Sequence, residues 1–249
     1  MSLPVELTVL ALAGLVAGVI NTLAGGGSFI TLPVFIFMGL PAPVANATNR
    51  VGVLLQCATS ALAYRQEGLT RAVDKRAVVA CCAGAVVGAL LSVDIDEGTL
   101  KAIIGVVMLA MLPVILLRPG RWLEGRPGGD GRAGPGGLLA LFAVGVYGGF
   151  LQAGVGVLLL ATLVLGSGLD LVRANVVKVV LVLLWTVPAL AIYIAADLIA
   201  WPQALAMAAG SAAGGWLGAR VTVRGGPQLV RAALIAVIVV SSGRLLGAW

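Results

Sequence analysis

The chain has 249 residues, 60% hydrophobic and 10% charged, with a formal net charge of +6 and a mean hydropathy of +1.10. A water-facing globular domain carries about a quarter of its residues as charges, so that class is excluded. What fits is an all-α polytopic membrane protein. The 35 glycines agree with it, because small residues let membrane helices approach closely, and the apolar runs are too long for the alternating strands of an outer-membrane barrel. The basic residues sit in short loops, so they read as topology signals, and nucleic acid is not an expected partner.

Apolar segments fall at 5–22, 28–40, 45–64, 77–93 and 99–117, then at 137–154, 156–168, 172–196, 203–219 and 228–247. The first has no basic stretch before it and no charged stop after it, so it reads as a retained helix, not a cleaved signal. Between the two sets lies RPGRWLEGRPGGDGRAGPGG (118–137), a glycine-, proline- and arginine-rich polar loop. The expected organisation is a first transmembrane repeat at 1–117, a cytoplasmic loop at 118–136 and a second transmembrane repeat at 137–249. Cys57, Cys81 and Cys82 lie in apolar segments and read as small buried thiols. The chain has no histidine, which removes the commonest general base and the usual metal-ligand sets, so no cofactor is expected. Trp122, Trp201 and Trp249 stand near segment ends, as interface anchors do.

The two halves resemble each other. Gly14 and Gly18 recur as Gly145 and Gly149, ANATN (45–49) recurs as ANVVK (174–178), and Gly84 and Gly88 recur as Gly210 and Gly214, at offsets that drift only slightly along the chain. Three matches in the same order indicate internal repeats of about five segments each. Charge suggests their orientation. The turn at 65–76 and the central loop are basic and read as cytoplasmic, while DIDE (94–97) between them is acidic and reads as external. In the second half the counterpart of 65–76 carries only Asp197, and the basic turn is the one at 219–227 around Arg220 and Arg224. The expectation is an inverted repeat with both termini outside.

Within the first half, NTLAGGGSFITLPVF (21–35) breaks a long apolar run. Glycine costs about 1 kcal/mol in a helix interior relative to alanine, and Asn21 adds an amide that lipid cannot satisfy. Segment 28–40 is too short to span a bilayer, which takes about 20 residues. A helix broken at Gly25, Gly26 and Gly27 follows, with Ser28 placed to cap the next helix and its free amides forming an anion site. In the second half Gln152, Gly154 and Gly156 take the places of Asn21, Gly25 and Gly27. Paired broken segments point to a transporter binding site, and irregular backbone at membrane depth needs a protein or water lining. Asn46 and Asn49, one helical turn apart with Thr48 between them, share a helix face, and Asn175 and Lys178 repeat the spacing. These polar residues are expected to line the cavity where the breaks meet. Lys178 lies about five residues into its segment, so the alternative is that it snorkels to the interface.

The stretch GLVAGVINTLAGGGSFITLPVFIFMGLPAPVANATN, with GVYGGFLQAGVG and ANVVK in the second half, resembles the sulfite exporter TauE/SafE family of membrane permeases. The resemblance covers nearly the whole chain as two related halves. It implies transport of sulfur-containing anions, such as sulfite or organosulfonates, across a bacterial inner membrane. The second glycine cluster is thin, with Val155 and Val157 inside it, and Lys178 stands in place of a small polar residue; the departures at Val177 and Lys178 bear on the substrate more than on the fold.

The residues thus predict a secondary transporter of a small anion, working by alternating access around a midplane site. Its partners would be that anion and the lipid bilayer, with homo-oligomerisation left open. No G-x-x-x-x-G-K-[ST] is present, so nucleotide hydrolysis by this chain is not expected. The lack of histidine and the scarcity of intramembrane carboxylates argue against a carboxylate–histidine proton relay. The competing reading is a non-transporting membrane assembly or anchor component. An intramembrane enzyme has no paired carboxylates, metal-ligand set or nucleophile–base pair to support it.

Overall fold

The computed structural model describes residues 2–69, 73–116 and 132–245, and every regular element among them is an α-helix. Most of the 118–136 loop, with Trp122, lies outside the described residues, as do Trp249 and part of the basic turn at 65–76.

Helix α1 (Leu3–Ala24) carries a proline in its first turn and ends where Gly25 turns left-handed at φ +79. The Gly25 N–H donates to the Asn21 carbonyl at 2.8 Å. The break is followed by α2 (Ser28–Phe37), only 10 residues long. Then come α3 (Ala42–Gln66), α4 (Lys75–Val93) and α5 (Glu97–Leu116). In the second half α6 (Pro135–Phe150) ends at a second break, before α7 (Val155–Ser167), whose N-cap Gly154 is left-handed at φ +68. α8 (Leu171–Ala195) opens on Asp170, whose carboxylate accepts from the Arg173 N–H at 2.9 Å, and α9 runs from Trp201 to Leu245.

α1, α4 and α8 are each long and apolar enough to cross a membrane. α2 and α7 reach only about 15 and 20 Å at 1.5 Å per residue, short of a hydrocarbon core about 30 Å thick. α3 and α8 are the most enclosed of the long helices and hold the buried polar side chains, while Leu3, Val9, Leu12 and Val16 of α1 face outward.

The recurring glycines are helix contacts. α1 packs along α9, and α4 along α6. Gly14 and Gly18 of α1 press on the α9 backbone at Met207, Ser211 and Gly214, and Gly210 and Gly214 press back on Ala11 and Leu15. Gly84 and Gly88 of α4 press on Phe142 and Val146 of α6, and Gly145 and Gly149 press back on Cys81 and Ala85. Any Cβ at these positions would collide with facing backbone. Each half therefore packs its opening glycine helix against the small-residue helix of the other half.

One expectation is corrected. The sequence predicts separate crossings at 203–219 and 228–247 with a basic turn at 219–227, but these segments lie on one continuous helix, α9. Side-chain contacts hold the helix through the expected turn. Thr222 donates to the Gly218 carbonyl at 2.8 Å, and Arg220 lies 3.6 Å over the Trp216 ring and 3.9 Å from Glu67. Gly225, Gly226 and Pro227 together cost about 5 kcal/mol in a helix interior, yet α9 continues through all three. The expected external C-terminus depended on that turn.

Candidate functional site

The two helix breaks meet. Gly25, at the end of α1, lies against Gly156 in the first turn of α7, so closely that a Cβ on either residue would strike the other's backbone. Gly154 is covered by the ring of Phe29 from α2, and Gly27 packs on the Ala17 carbonyl and the Asn21 side chain. Gln152 adopts φ +62, a conformation rare for residues with a Cβ. Such strained positions concentrate at functional sites. Gln152 Nε2 donates to Thr186 Oγ1 at 3.2 Å, and its Oε1 is buried without a hydrogen bond.

Each broken helix end is gripped by a helix from the other half. On α1, Lys178 Nζ donates to the carbonyls of Asn21 (3.0 Å) and Thr22 (3.2 Å), and Asn175 Nδ2 donates to Thr22 O (2.8 Å) and Tyr64 Oη (3.0 Å). On α6, the Arg50 guanidinium donates to the carbonyls of Gly148 (2.9 Å) and Gly149 (2.6 Å), and Asn46 Nδ2 donates to Phe150 O (2.8 Å). Tyr193 Oη donates to Gly149 O at 3.0 Å and lies 3.4 Å from Asn46 Nδ2. Helix C-termini expose unpaired carbonyls and the negative end of the dipole, so a cation is the natural partner for each.

Two small chambers adjoin this junction, each with room for about one water. The first lies among α1, α2, α3 and α9, with Ser28, Thr31, Asn49 and Ser211 in its wall. The second lies among α1, α3, α7 and α8, with Lys178, Gln152, Cys57 and Gly156 in its wall, backed by valines. Asn21, Ser28, Val53 and Gln56 belong to both.

The residues singled out in the sequence divide accordingly. Asn21, Ser28, Gln152, Gly156 and Lys178 come together at the second chamber, and Gly27 and Asn49 join Asn21 and Ser28 at the first. Gly25, Gly26 and Gly154 form the breaks themselves. Asn46 and Asn175 line neither chamber and instead grip helix ends. Thr48 points elsewhere, accepting from the Ala200 N–H at 3.1 Å just before α9. Ser28 does not cap α2: the N-cap is Gly27, and Ser28 Oγ accepts from Asn49 Nδ2 at 3.1 Å. A serine inside the first turn cannot reach back to the free amides as an N-cap does. Lys178 does not snorkel: it is 2% exposed and its amine turns inward to α1.

Arg50, Gln56, Tyr64 and Tyr193 escape a reading of the sequence. Tyr64 and Tyr193 are separated by the same stretch of chain as ANATN and ANVVK, and that is the available signal. Gln56 carries none, being a single amide in an apolar run.

Among the described residues the buried charged side chains are Arg50 and Lys178, and no carboxylate is buried with them. The ion pairs, Arg173–Asp170 and Arg220–Glu67, lie at partly exposed positions. Of these two basic side chains, Lys178 faces a chamber.

An all-helical, apolar chain with two interrupted helices meeting inside it belongs to the class of polytopic membrane transporters. The family model described as Sulfite exporter TauE/SafE matches residues 10–245, and the chain belongs to that family of membrane permeases. A probable membrane transporter protein, ORF9, of a Sinorhizobium species is 26% identical over 96% of this chain and 92% of its own length. A probable membrane transporter protein of Haemophilus influenzae is 28% identical, over 90% of this chain and 88% of its own. The probable membrane transporter protein YfcA of Escherichia coli K12 is 26% identical, over 98% of this chain and 90% of its own. No solved structure matches the chain.

Proposed function

We propose that this permease is a secondary transporter of a small sulfur-containing anion, sulfite or an organosulfonate, which binds where the two helix breaks meet. The observation that carries this reading is Lys178, a buried cation without a buried carboxylate partner among the described residues, facing a chamber between the breaks. Intramembrane charge is costly and marks substrate paths. The first turn of α7 borders the same chamber at Val155 and Gly156, and the positive end of a helix dipole favours negative charge. Asn21, Gly27, Ser28, Asn49, Gln152, Gly156 and Lys178 would contact the anion, with Gly25, Gly26 and Gly154 keeping the backbone open. Asn46, Thr48 and Asn175 would position the helices around it.

The chambers are water-sized, so an anion as large as sulfite enters only when the walls move. That suits alternating access by two antiparallel repeats that rock against each other. The reciprocal packing of α1 on α9 and α6 on α4 supports such a relation. We place the bacterial inner membrane as its site and the N-terminus outside. A Gly98→Cys protein should then react with an impermeant thiol reagent from the outside and a Gly134→Cys protein should not.

The decisive experiment is uptake and efflux of radiolabelled sulfite and a panel of sulfonates in proteoliposomes. Saturable flux of at least one of these anions is expected. Absence of flux for every anion would favour a non-transporting assembly or anchor role.

A further inference from the structure

Asn21 and Gln56 are polar side chains that line both chambers, and they bond across the boundary, Asn21 Nδ2 donating to Gln56 Oε1 at 2.6 Å. We propose that Gln56 and Asn21 form a gate between the two chambers, which an anion moving between the Ser28–Thr31–Asn49 side and Lys178 must part. The proposal rests on the reading of these chambers as a transport route and names the residues that control passage along it.

The two sides of the bond are held very differently. Gln56 is a fixed post. Its Nε2 donates to Thr22 Oγ1 (2.7 Å) and Ser60 Oγ (3.0 Å), and Ser60 donates onward to the Gly215 carbonyl of α9 at 2.9 Å. Its Oε1 also receives the Cys57 thiol at 3.5 Å. The amide thus has all of its bonding capacity engaged and is tied to α1, α3 and α9 together. Asn21 is the moving side. It sits in the last turn of α1, one turn before left-handed Gly25, and its side chain packs on Gly27.

The Asn21 carbonyl accepts from the Lys178 amine at 3.0 Å and from the Gly25 N–H at 2.8 Å. An anion that draws the amine toward the second chamber weakens the hold on that last turn. The same event that binds the anion thereby loosens the residue that closes the gate. Val53 and Ser28 also border both chambers, but the Val53 side chain has no hydrogen-bonding group and Ser28 is bonded to Asn49. Neither bridges the boundary.

Native and introduced thiols test the gate without measuring transport. Cys57 lines only the Lys178 chamber and Ser211 only the other. The first reporter is the full chain with Cys81→Ala and Cys82→Ala, leaving Cys57. The second carries Ser211→Cys with all three native cysteines replaced by alanine. Both are reacted in detergent with an anionic methanethiosulfonate. Asn21→Ala, which leaves the bond from the Cys57 thiol to Gln56 in place, should speed labelling of Cys57 by about tenfold, the scale of one well-made buried hydrogen bond, and leave the Ser211→Cys rate within about twofold. Gln56→Ala, which also frees Thr22, Ser60 and the Cys57 thiol, should speed Cys57 labelling at least as much, and the double variant should add nothing to Gln56→Ala, since the Asn21–Gln56 bond is already lost there. An unchanged Cys57 rate, or an equal rise at both reporters, overturns the gate. If Gln56→Ala fails to fold, Asn21→Ala alone decides by the same ratio. Lack of anion flux in proteoliposomes would count against the transport reading, whereas the labelling ratio decides whether these residues divide the chambers.

Discussion

The clasp on the end of α1 and the clasp on the end of α6 each use an asparagine and a tyrosine, yet they finish differently. Asn175, braced by Tyr64, grips α1, and Asn46 and Tyr193 grip α6; Asn46 and Asn175, and Tyr64 and Tyr193, are separated by the same stretch of chain. The cations do not match. Lys178 stands at the counterpart of Asn49, whereas Arg50 stands one position further along its helix. One residue is about 100° around a helix axis. That rotation leaves Lys178 in the wall of a chamber and turns Arg50 into packed protein, where it lies 4.5 Å over the Tyr193 ring and spans two carbonyls.

The side-chain chemistry follows the same division. A guanidinium is a rigid fork suited to holding two acceptors and a ring at once, while an ammonium is a mobile point charge that can change partners. The comparison teaches that two halves can share one gripping device and still differ in setting, with the α6 clasp enclosed in packed protein and the α1 clasp facing a chamber.

The largest expected effect separates the two cations. Lys178→Met should lower anion affinity or flux by about a hundredfold, corresponding to about 3 kcal/mol for withdrawing a buried charge from its partner, and Lys178→Arg should retain part of the function. Substrate binding in detergent, with expression and melting temperature as controls, measures this. Wild-type affinity in a well-folded Lys178→Met protein would remove Lys178 from the site.

Arg50→Met should act on stability instead. Loss of its hydrogen bonds and ring contact should cost about 2 kcal/mol, seen as lower yield and melting temperature, with flux per folded molecule close to wild type. Arg50→Lys should recover little, because one ammonium cannot cover both carbonyls and the Tyr193 ring. A selective loss of flux in a stable Arg50→Met protein would erase the proposed division of labour.

The breaks offer a smaller contrast. Gly25→Ala and Gly154→Ala both place a Cβ at positive φ, costing about 1–2 kcal/mol. At Gly25 the new methyl would also strike the Gly156 backbone, whereas at Gly154 it would meet the Phe29 ring, which can turn aside. Thermal unfolding should therefore show the larger loss for Gly25→Ala, and equal losses would mean that the Gly25–Gly156 approach is not tight.

The smallest effect concerns the tyrosines. Tyr193→Phe disturbs contacts to Asn46, Arg50 and two carbonyls, while Tyr64→Phe removes those to Asn175 and Thr222. At about 0.6 kcal/mol for an interhelical hydrogen bond, Tyr64→Phe should lower the melting temperature only slightly, and Tyr193→Phe should lower it further. The reverse order would contradict the closed character of the α6 clasp.

Much of this architecture is legible as chain pattern. The glycine triplet, Gln152 with its flanking glycines and the ANATN–ANVVK spacing are visible because a break in hydropathy and a repeat spacing are one-dimensional signals. Asn46 and Asn49 also look like one polar face, and they do lie on one helix. The structure sends Asn46 to α6 and Asn49 to α2, because neighbouring helices approach that face from different sides. The turn expected at 219–227 fails for a related reason: charge and glycine mark a boundary, while Trp216 and Glu67 hold Arg220 on a continuing helix.

By itself the sequence determined the helical membrane class, the two interrupted segments and the presence of a lysine within an apolar segment, since each depends on composition or on residues adjacent in the chain. Only the tertiary structure decided which carbonyls the cations grip, that Thr48 serves α9 and that Gln56 meets Asn21 across two chambers. Those relations depend on the rotation of each helix about its own axis. In an apolar chain hydropathy is nearly the same all round a helix, so that rotation is set by the packing of glycine against backbone and by the strong preference of buried polar groups for partners.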